Sequence, residues 1–215
     1  MKKLLLISLV LISINTYAQN IRVGLTSGFS VSGYKAKMGS ETESFNSKIG
    51  FTTGIMLDIP AGKHFSFQPA LNLVQKGFKE KQTIMGTTTK VSMTINYIEL
   101  PLNFLYNSRG RAGNFFAGAG PSFAMAASGK YKYDDGTNSF DEKVKFGNGD
   151  EDIMKSFDMG ANILSGFSLN NGLMFSLNYN IGLSNLLPNG ESDAKLTSRY
   201  FGIKLGYLLN TGRRK

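Results

Sequence analysis

The sequence predicts an all-β fold: an eight-stranded antiparallel up-and-down transmembrane β-barrel with short periplasmic turns and longer extracellular loops. Bulky apolar residues alternate repeatedly with glycine, hydroxyl, amide and charged residues, the chain begins with an export signal, and no later apolar run is long enough for a membrane helix. The second face of the alternation is too small and polar to fill a soluble core, whereas the first suits contact with lipid. An exported chain without membrane helices can span a bilayer only as a closed barrel.

The N-terminus has the features of a secretory signal peptide. Lys2 and Lys3 precede an apolar run over 4–14, and small residues end at Ala18. The run is shorter than the ~20 residues that a spanning helix needs. The expected domains are a signal peptide at 1–18, the barrel at 19–210 and a basic C-terminal tail at 211–215.

Composition narrows the classes of partner. The chain has no cysteine, which excludes a lipidated cysteine anchor, disulfides and thiol-ligated metals. The formal net charge is +9, but the charges are spread through loops and form no basic helix. This distribution favours attraction to outer-membrane lipid and lipopolysaccharide over nucleic acid, which we do not expect as a partner.

Eight strands follow from the two-residue alternation. In chain order they are 20–33, 48–59, 64–79, 91–106, 114–127, 155–169, 173–185 and a last strand that contains 200–209. The first strand points Leu25 and Phe29 outward, the second Phe51, and the third Leu71 and Leu73, each alternating with small or polar residues. This alternation is typical of strands with one lipid-facing side.

The fourth strand breaks phase in the sequence. Its large apolar residues are odd-numbered up to Tyr97 and even-numbered from Ile98. Since one extra residue turns every following side chain to the other face, we predict a β-bulge at this pair, with Val91, Met93, Ile95 and Tyr97 facing lipid. Pro101 lies just beyond, where a missing ladder hydrogen bond is tolerated.

The last four strands repeat the pattern more regularly. Phe123 and Met125 mark the outer face of the fifth, Phe167 that of the sixth, Leu177 that of the seventh and Ile203 that of the eighth. Short turns follow the second, fourth and sixth strands, and longer polar loops follow the others. Alternating short turns and long loops are the rule for outer-membrane barrels, and they place both termini in the periplasm. Tyrosines near strand ends are expected at the membrane interface.

Three segments resemble the PorT-like family of outer-membrane β-barrel proteins. They are Gln75-Lys76-Gly77, Tyr97-Ile98-Glu99-Leu100-Pro101-Leu102 and Gly118-Ala119-Gly120-Pro121. The resemblance implies an eight-stranded barrel in the outer membrane of a Gram-negative cell. It also implies a link to type IX protein secretion, in which the founding member takes part.

Several charged residues are expected to point into the lumen. They are Arg22, Lys48, Asp58, Lys76, Glu99, Asp158 and Lys204, with Glu99 inward only if the predicted bulge exists. An eight-stranded barrel is just wide enough inside for side chains. We therefore expect a filled lumen of paired charges and amides, with a proton path or narrow gate through Glu99 and Lys204 as the alternative.

No residue pattern indicates catalysis or a cofactor. The single histidine, His64, lies beside a turn and has no serine or acid arranged around it, so an enzyme is not expected. No metal-ligand spacing occurs, and no cofactor is expected. Lys130, Tyr131, Lys132 and Tyr133 form an aromatic and basic stretch in the longest loop and are the candidate recognition residues.

Three functions remain open. The preferred one is a non-enzymatic structural or interaction subunit of the outer membrane, accessory to secretion of the type IX kind or to another envelope complex. The second is a narrow passive pore for small solutes. The third is a soluble periplasmic binder of lipocalin type, which a filled polar interior disfavours.

Overall fold

The computed structural model describes residues 21–84, 87–188 and 194–209 as ten β-strands and their connections. The strands are β1 (Arg22–Met38), β2 (Glu41–Ser44), β3 (Lys48–Pro60), β4 (Phe65–Ile84), β5 (Thr87–Arg109), β6 (Gly113–Asp134), β7 (Ser139–Lys143), β8 (Phe157–Leu169), β9 (Leu173–Gly182) and β10 (Ala194–Leu209). The expected signal peptide and the expected basic tail lie outside the described residues.

Eight of these strands form a closed antiparallel barrel. The hydrogen-bonded order runs β10-β9-β8-β6-β5-β4-β3-β1, and β1 pairs with β10 to complete the ring. The closing register runs from Val23 opposite Leu209 to Met38 opposite Ala194. Closure leaves no unpaired barrel edge, which is what a sheet within lipid requires. The predicted eight-stranded barrel is confirmed.

The side-chain orientation is also the one expected for a membrane barrel. Phe175 and Ile203 are 42% and 43% exposed, whereas Asn178 and Lys204 are 6% and 8% exposed. Large apolar side chains cover the outside of every barrel strand, including Phe29, Ile49, Phe104 and Ile163. A soluble barrel with this surface would aggregate, so the exterior indicates contact with acyl chains. No helix among the described residues is long and apolar enough to cross a membrane.

The turns at one end are tight, as expected. β3 and β4 are joined by 61–64, β5 and β6 by 110–112, and β8 and β9 by 170–172. Gly172 has φ of 95° and carries the last of these turns in the left-handed region, where a side chain would be strained. This end is the periplasmic end, and the long connections lie at the extracellular end.

Two short strands extend the sheet beyond the barrel. β2 pairs with the end of β1, and β7 pairs with the end of β6. β4 and β5 also continue well past the ring as a hairpin, with Lys81 opposite Lys90. We define β7 and the extracellular ends of β4, β5 and β6 as the extracellular extension. The sequence prediction missed β2 and β7 because both are polar and exposed and show no apolar alternation.

The phase break lies in β6, not in β5, so the predicted position of the bulge is wrong. The β5–β6 register shifts between Asn96 and Tyr97, with Asn96 opposite Ser128 and Tyr97 opposite Ala126. The extra residue is therefore Ala127. Along β5 the two-residue alternation continues unbroken, so Glu99 faces inward without a bulge.

The same continuity corrects the predicted orientation of four residues. Met93, Ile95 and Tyr97 were predicted to face lipid, but they are buried inside the barrel mouth, and Val91 is only partly exposed on the same face. The rule that large apolar residues face outward therefore fails at the extracellular mouth. There the barrel interior is closed by apolar packing.

Candidate functional site

The lumen is filled in layers along the barrel axis. A periplasmic apolar layer consists of Met56, Leu105, Phe116, Leu164, Met174 and Leu208. An extracellular apolar layer consists of Tyr34, Met93, Ile95, Tyr97, Ala124, Val144, Met154 and Leu186. A polar layer lies between them. Because glycine and small polar residues leave room at the other inward positions, these side chains can meet across the barrel axis.

Lys76 is the centre of the polar layer. Its ammonium group lies 3.1 Å from Asp158 Oδ2 and 3.7 Å from Glu99 Oε2. Asp158 also accepts a hydrogen bond of 2.5 Å from Ser198, and Glu99 accepts one of 2.5 Å from Tyr200. All five side chains are buried. β4, β5, β8 and β10 each contribute to this cluster, which we call the lysine cluster.

Aromatic rings complete the surroundings of Lys76. Its ammonium group lies 4.8 Å from the ring centre of Tyr97 and 5.2 Å from that of Tyr200. Both distances are within the range of cation–π attraction. The rings stabilise the charged form where the protein excludes bulk water. The site therefore keeps one cation beside two carboxylates under apolar cover.

Two carboxylate oxygens of the lysine cluster can still accept a hydrogen bond. Glu99 Oε2 and Asp158 Oδ1 are buried and make no hydrogen bond within the described part of the chain. The second lysine of the layer, Lys204, is buried on β10 and lines a cavity of about 30 Å³ together with Glu99 and Tyr200. That volume holds about one water molecule. With Lys204 included, two cations balance two carboxylates.

Asparagine side chains fill the lumen between the lysine cluster and the periplasmic apolar layer. Asn162 donates to Asn103 at 2.9 Å, and Asn178 donates to Asn162 at 3.4 Å. Asn180 donates to Ser122 at 2.6 Å. The amides link β5, β6, β8 and β9 across the lumen. They are short enough to fit inside a narrow barrel and to bond to one another, although Asn178 Oδ1 has no hydrogen-bond donor in the described structure.

The predicted lumen charges separate into three places. Lys76, Glu99, Asp158 and Lys204 belong to the polar layer. Arg22 and Asp58 form an ion pair of 2.5 Å at the periplasmic end of β1 and β3, apart from that layer.

Lys48 does not join the predicted lumen network. Its ammonium group donates to Ser92 at 2.7 Å and also to Thr94, both on β5 in the extracellular extension. The side chain passes over Gly77 of β4, which has no side chain to block it. Alternation alone misplaced Lys48, because the pairing of β3 with β4 begins only at Thr52 opposite Val74 and the Lys48 side chain crosses β4 towards β5.

Sequence reasoning did not identify the three buried tyrosines as part of the site, because it expected tyrosines near strand ends at the membrane interface and predicted that Tyr97 faces lipid. Tyr34, Tyr97 and Tyr200 are at most 1% exposed and lie in or beside the lysine cluster. For Tyr200 a signal was present, since it alternates with Phe201 and so shares the face of Lys204. For Tyr34 and Tyr97 no such sequence signal was present, because a tyrosine is equally suited to a barrel mouth and to the lipid headgroup zone.

The extracellular apolar layer includes residues from the loops. Val144 and Met154 come from the connection between β7 and β8, and Leu186 from the connection between β9 and β10. Lys155 donates its amide to the Leu186 carbonyl at 2.8 Å, and Leu186 donates to Leu196 at 2.9 Å. These bonds hold the loops over the mouth. The lumen is thus closed from the extracellular side by folded chain.

The four candidate recognition residues lie on opposite faces of β6. Lys130 and Lys132 point outward, and their ammonium groups lie 2.5 Å and 3.5 Å from Asp141 Oδ2. Tyr131 packs against the extracellular apolar layer, and Tyr133 stacks on Phe140 of β7 at 5.0 Å. The alternation of a strand prevents all four from sharing one surface.

Two acidic residues at the turn between β6 and β7 and on β7 bond to neighbouring groups of the extracellular extension. Hydrogen bonds from the Asn138 and Thr137 amides hold the pKa of Asp135 below its usual value, and the carboxylate closes the turn between β6 and β7. The hydrogen bond from Lys130 likewise lowers the pKa of Asp141. Among the described residues, no group of three or more histidine, cysteine or acidic side chains is placed to hold a metal ion.

His64 lies at the periplasmic rim, as the sequence suggested. Its Nδ1 is 3.2 Å from the Asn107 carbonyl oxygen, and its ring stacks on Tyr106 at 5.8 Å. These contacts tie the turn between β3 and β4 to β5. They give the imidazole a structural role at this rim.

Sequence comparison agrees with the barrel. The family model described as outer membrane protein beta-barrel domain matches residues 17–187. The chain belongs to this family. Membership, the closed ring and the apolar exterior together place the protein in the outer membrane. No curated protein matches the sequence.

Solved structures resemble this family member in overall shape only. OprG from Pseudomonas aeruginosa is 12% identical with a TM-score of 0.45, and the match covers 90% of this chain and 98% of that one. Ail, the attachment invasion locus protein of Yersinia pestis, is 11% identical with a TM-score of 0.40, covering 88% and 99%. Neisserial surface protein A is 10% identical with a TM-score of 0.39, covering 86% and 96%. At these scores no functional argument rests on them.

Proposed function

We propose that this protein is a non-enzymatic, non-conducting interaction subunit of the outer membrane, which presents the extracellular extension to a protein partner. The observation that carries the proposal is the extension itself. β6 continues to Asp134, and β7 pairs with it outside the barrel ring. A barrel with no role outside the bilayer would not need strands that continue beyond the membrane.

The layered lumen supports an interaction role over a pore. Apolar layers lie at both ends, and the polar layer between them is packed and ion-paired. A solute would have to displace both layers and the lysine cluster. The lipocalin-like alternative lacks support for the same reason, and because the apolar exterior needs lipid.

The partner is proposed to belong to an envelope assembly. Resemblance to the PorT-like family favours protein secretion of the type IX kind. On this proposal the barrel anchors the assembly, and the stacked pair Tyr133 and Phe140 contributes aromatic contact area, with Phe140 46% exposed. Exposed aromatic side chains are common at the centre of protein interfaces.

The test is co-purification from detergent-solubilised envelopes. A stoichiometric partner should accompany the unmodified protein and be lost from Tyr133→Ala combined with Phe140→Ala. The matched control is Phe65→Ala combined with Tyr106→Ala, an aromatic pair of 5.7 Å at the periplasmic rim, which should keep the partner. Equal retention by both double variants, or a strictly solitary barrel, would overturn the proposal.

A further inference from the structure

A basic surface covers the outward face of the extracellular extension. β4, β5, β6 and β7 pair side by side, with Lys79 opposite Ser92, Ser92 opposite Lys132 and Lys132 opposite Asp141. The same face carries Lys48, Lys79, Lys81, Lys90, Lys130, Lys132 and Lys143, with Asp134 and Asp141 as its acids. Lysines outnumber these acids, and we call this surface the lysine face.

The two aspartates neutralise only part of the lysine face. Asp141 contacts Lys130 and Lys132, and Asp134 lies 3.9 Å from Lys90. Lys79 and Lys81 are exposed and form no ion pair in the described structure. Like charges this close repel one another, so a bound anion would stabilise the arrangement.

A pocket of about 500 Å³ opens on the lysine face. Lys79, Lys81 and Lys90 line it, together with the hydroxyl of Ser92. Glu80 also borders the pocket, but both of its oxygens are engaged, by the Asn46 amide at 2.6 Å and the Asn46 side chain at 2.8 Å. The three ammonium groups are the charged groups of the lining that remain, and they suit a phosphate group.

The lysine face lies directly above lipid-facing strands. A ladder of polar side chains separates the two, with Gln75 donating to Asn96 at 3.1 Å and Asn96 to Ser128 at 2.9 Å. From Leu73 to Lys79 is about 20 Å along β4 at the usual rise, and about 15 Å along the membrane normal at the usual tilt. Lysine stems reach back towards the interface. The face therefore stands at the level of lipid headgroups and just beyond.

The same strands carry an apolar groove below the polar ladder. It has a volume of about 740 Å³ and lies on the outer wall of six neighbouring strands, β9, β10, β1, β3, β4 and β5. Ser27 and Thr53, which are adjacent in the β1–β3 register, form its shallow floor, and Ile55, Leu73 and Ile98 form its sides. Small residues between large ones make a channel that an acyl chain can fill.

We propose that this side of the barrel binds a phosphorylated lipid of the outer leaflet, with its phosphate groups on the lysine face and an acyl chain in the groove. Along β4 the groove at Leu73, the polar ladder at Gln75 and the pocket at Lys79 follow one another, which argues for one amphiphilic occupant. A soluble anion would not contact the apolar groove. A bulk lipid without specific contacts would not need the lysine-lined pocket. This inference goes beyond the proposed protein interaction and uses other residues.

The test measures binding of bisphosphorylated lipid A to the purified barrel in detergent micelles by native mass spectrometry. Replacing Lys79, Lys81 and Lys90 together by glutamine should weaken binding by about 100- to 200-fold, since each lysine near anionic lipid contributes about 1 kcal/mol. The control replaces Lys35, Lys37 and Lys195, which are exposed on β1 and β10 and line neither the pocket nor the groove, and should change binding less than about twofold.

A second pair of variants tests the groove. Ser27→Phe fills its floor and should weaken lipid A binding, whereas Ala119→Phe, a small-to-large change on the lipid-facing side of β6, should not. Dephosphorylated lipid A should bind weakly, and inorganic phosphate alone should not reach comparable affinity. Equal binding by the two lysine triplets, or by the two phenylalanine variants, would overturn the proposal. Loss of the protein partner in the co-purification test would not overturn the lipid proposal, because the lipid assay uses purified protein.

Discussion

Lys76 is the residue on which the polar layer depends. It is 1% exposed and lies beside two carboxylates that have few other donors. We predict that Lys76→Met destabilises the folded barrel by about 3–5 kcal/mol, because it removes the cation that forms the ion pairs with Glu99 and Asp158 in the described structure. The measurement is urea unfolding of the barrel in lipid vesicles.

Two further variants separate charge from packing in that measurement. Lys63→Met, in the exposed turn between β3 and β4, should change the free energy of unfolding by less than about 0.5 kcal/mol. Adding Glu99→Gln and Asp158→Asn to Lys76→Met should recover much of the loss. A triple variant as unstable as Lys76→Met alone would show that volume, not charge, sets the cost.

Single residues also show how far sequence reasoning reached inside the barrel. Asn178 and Lys204 were placed correctly because each alternates with large apolar neighbours on a regular strand. The meeting of Lys76, Glu99 and Asp158 was not predictable as a trio. It depends on the shear and closure of four strands, which fix distances across the lumen, whereas alternation fixes only the direction of a side chain.

At the scale of the element, Ala127 sets which face of β6 is basic. The extra residue turns Tyr131 inward and Lys132 outward. We predict that deleting Ala127 reverses this pattern, because a shift of one residue exchanges the faces of a strand. The chain has no cysteine, so single-cysteine variants report exposure cleanly.

The labelling experiment uses a water-soluble maleimide. With Ala127 present, Lys132→Cys should react quickly and Tyr131→Cys slowly, and the order should invert in the deletion background. Lys81→Cys on β4 should react alike in both backgrounds. An unchanged order of reactivity after the deletion would contradict the assigned role of the bulge.

The error on β5 has a physical origin at this scale. Met93, Ile95 and Tyr97 looked lipid-facing because large apolar residues were assumed to face outward along the whole strand. β5 extends past the bilayer, and there its inward side chains pack beneath Val144 and Met154 from the loops. A local pattern does not show where along a strand the membrane ends, whereas the contacts with loops do.

For the whole molecule, the layered lumen predicts that the barrel carries no steady current. The cavity lined by Glu99 and Lys204, which borders the periplasmic apolar layer, has room for about one water molecule. Beside it, Lys76 forms ion pairs with Glu99 and Asp158. Planar-bilayer recordings of the unmodified protein should therefore show no stable conductance.

Variants that thin one layer test whether each layer closes the barrel by itself. Tyr34→Ala with Tyr97→Ala opens the extracellular layer, and Phe116→Ala with Met174→Ala opens the periplasmic layer. Because the other apolar layer and the lysine cluster remain, each double variant should stay non-conducting. Insertion is checked in every case by protease resistance of the barrel. A steady conductance from the unmodified protein would refute the closed lumen and favour the narrow pore.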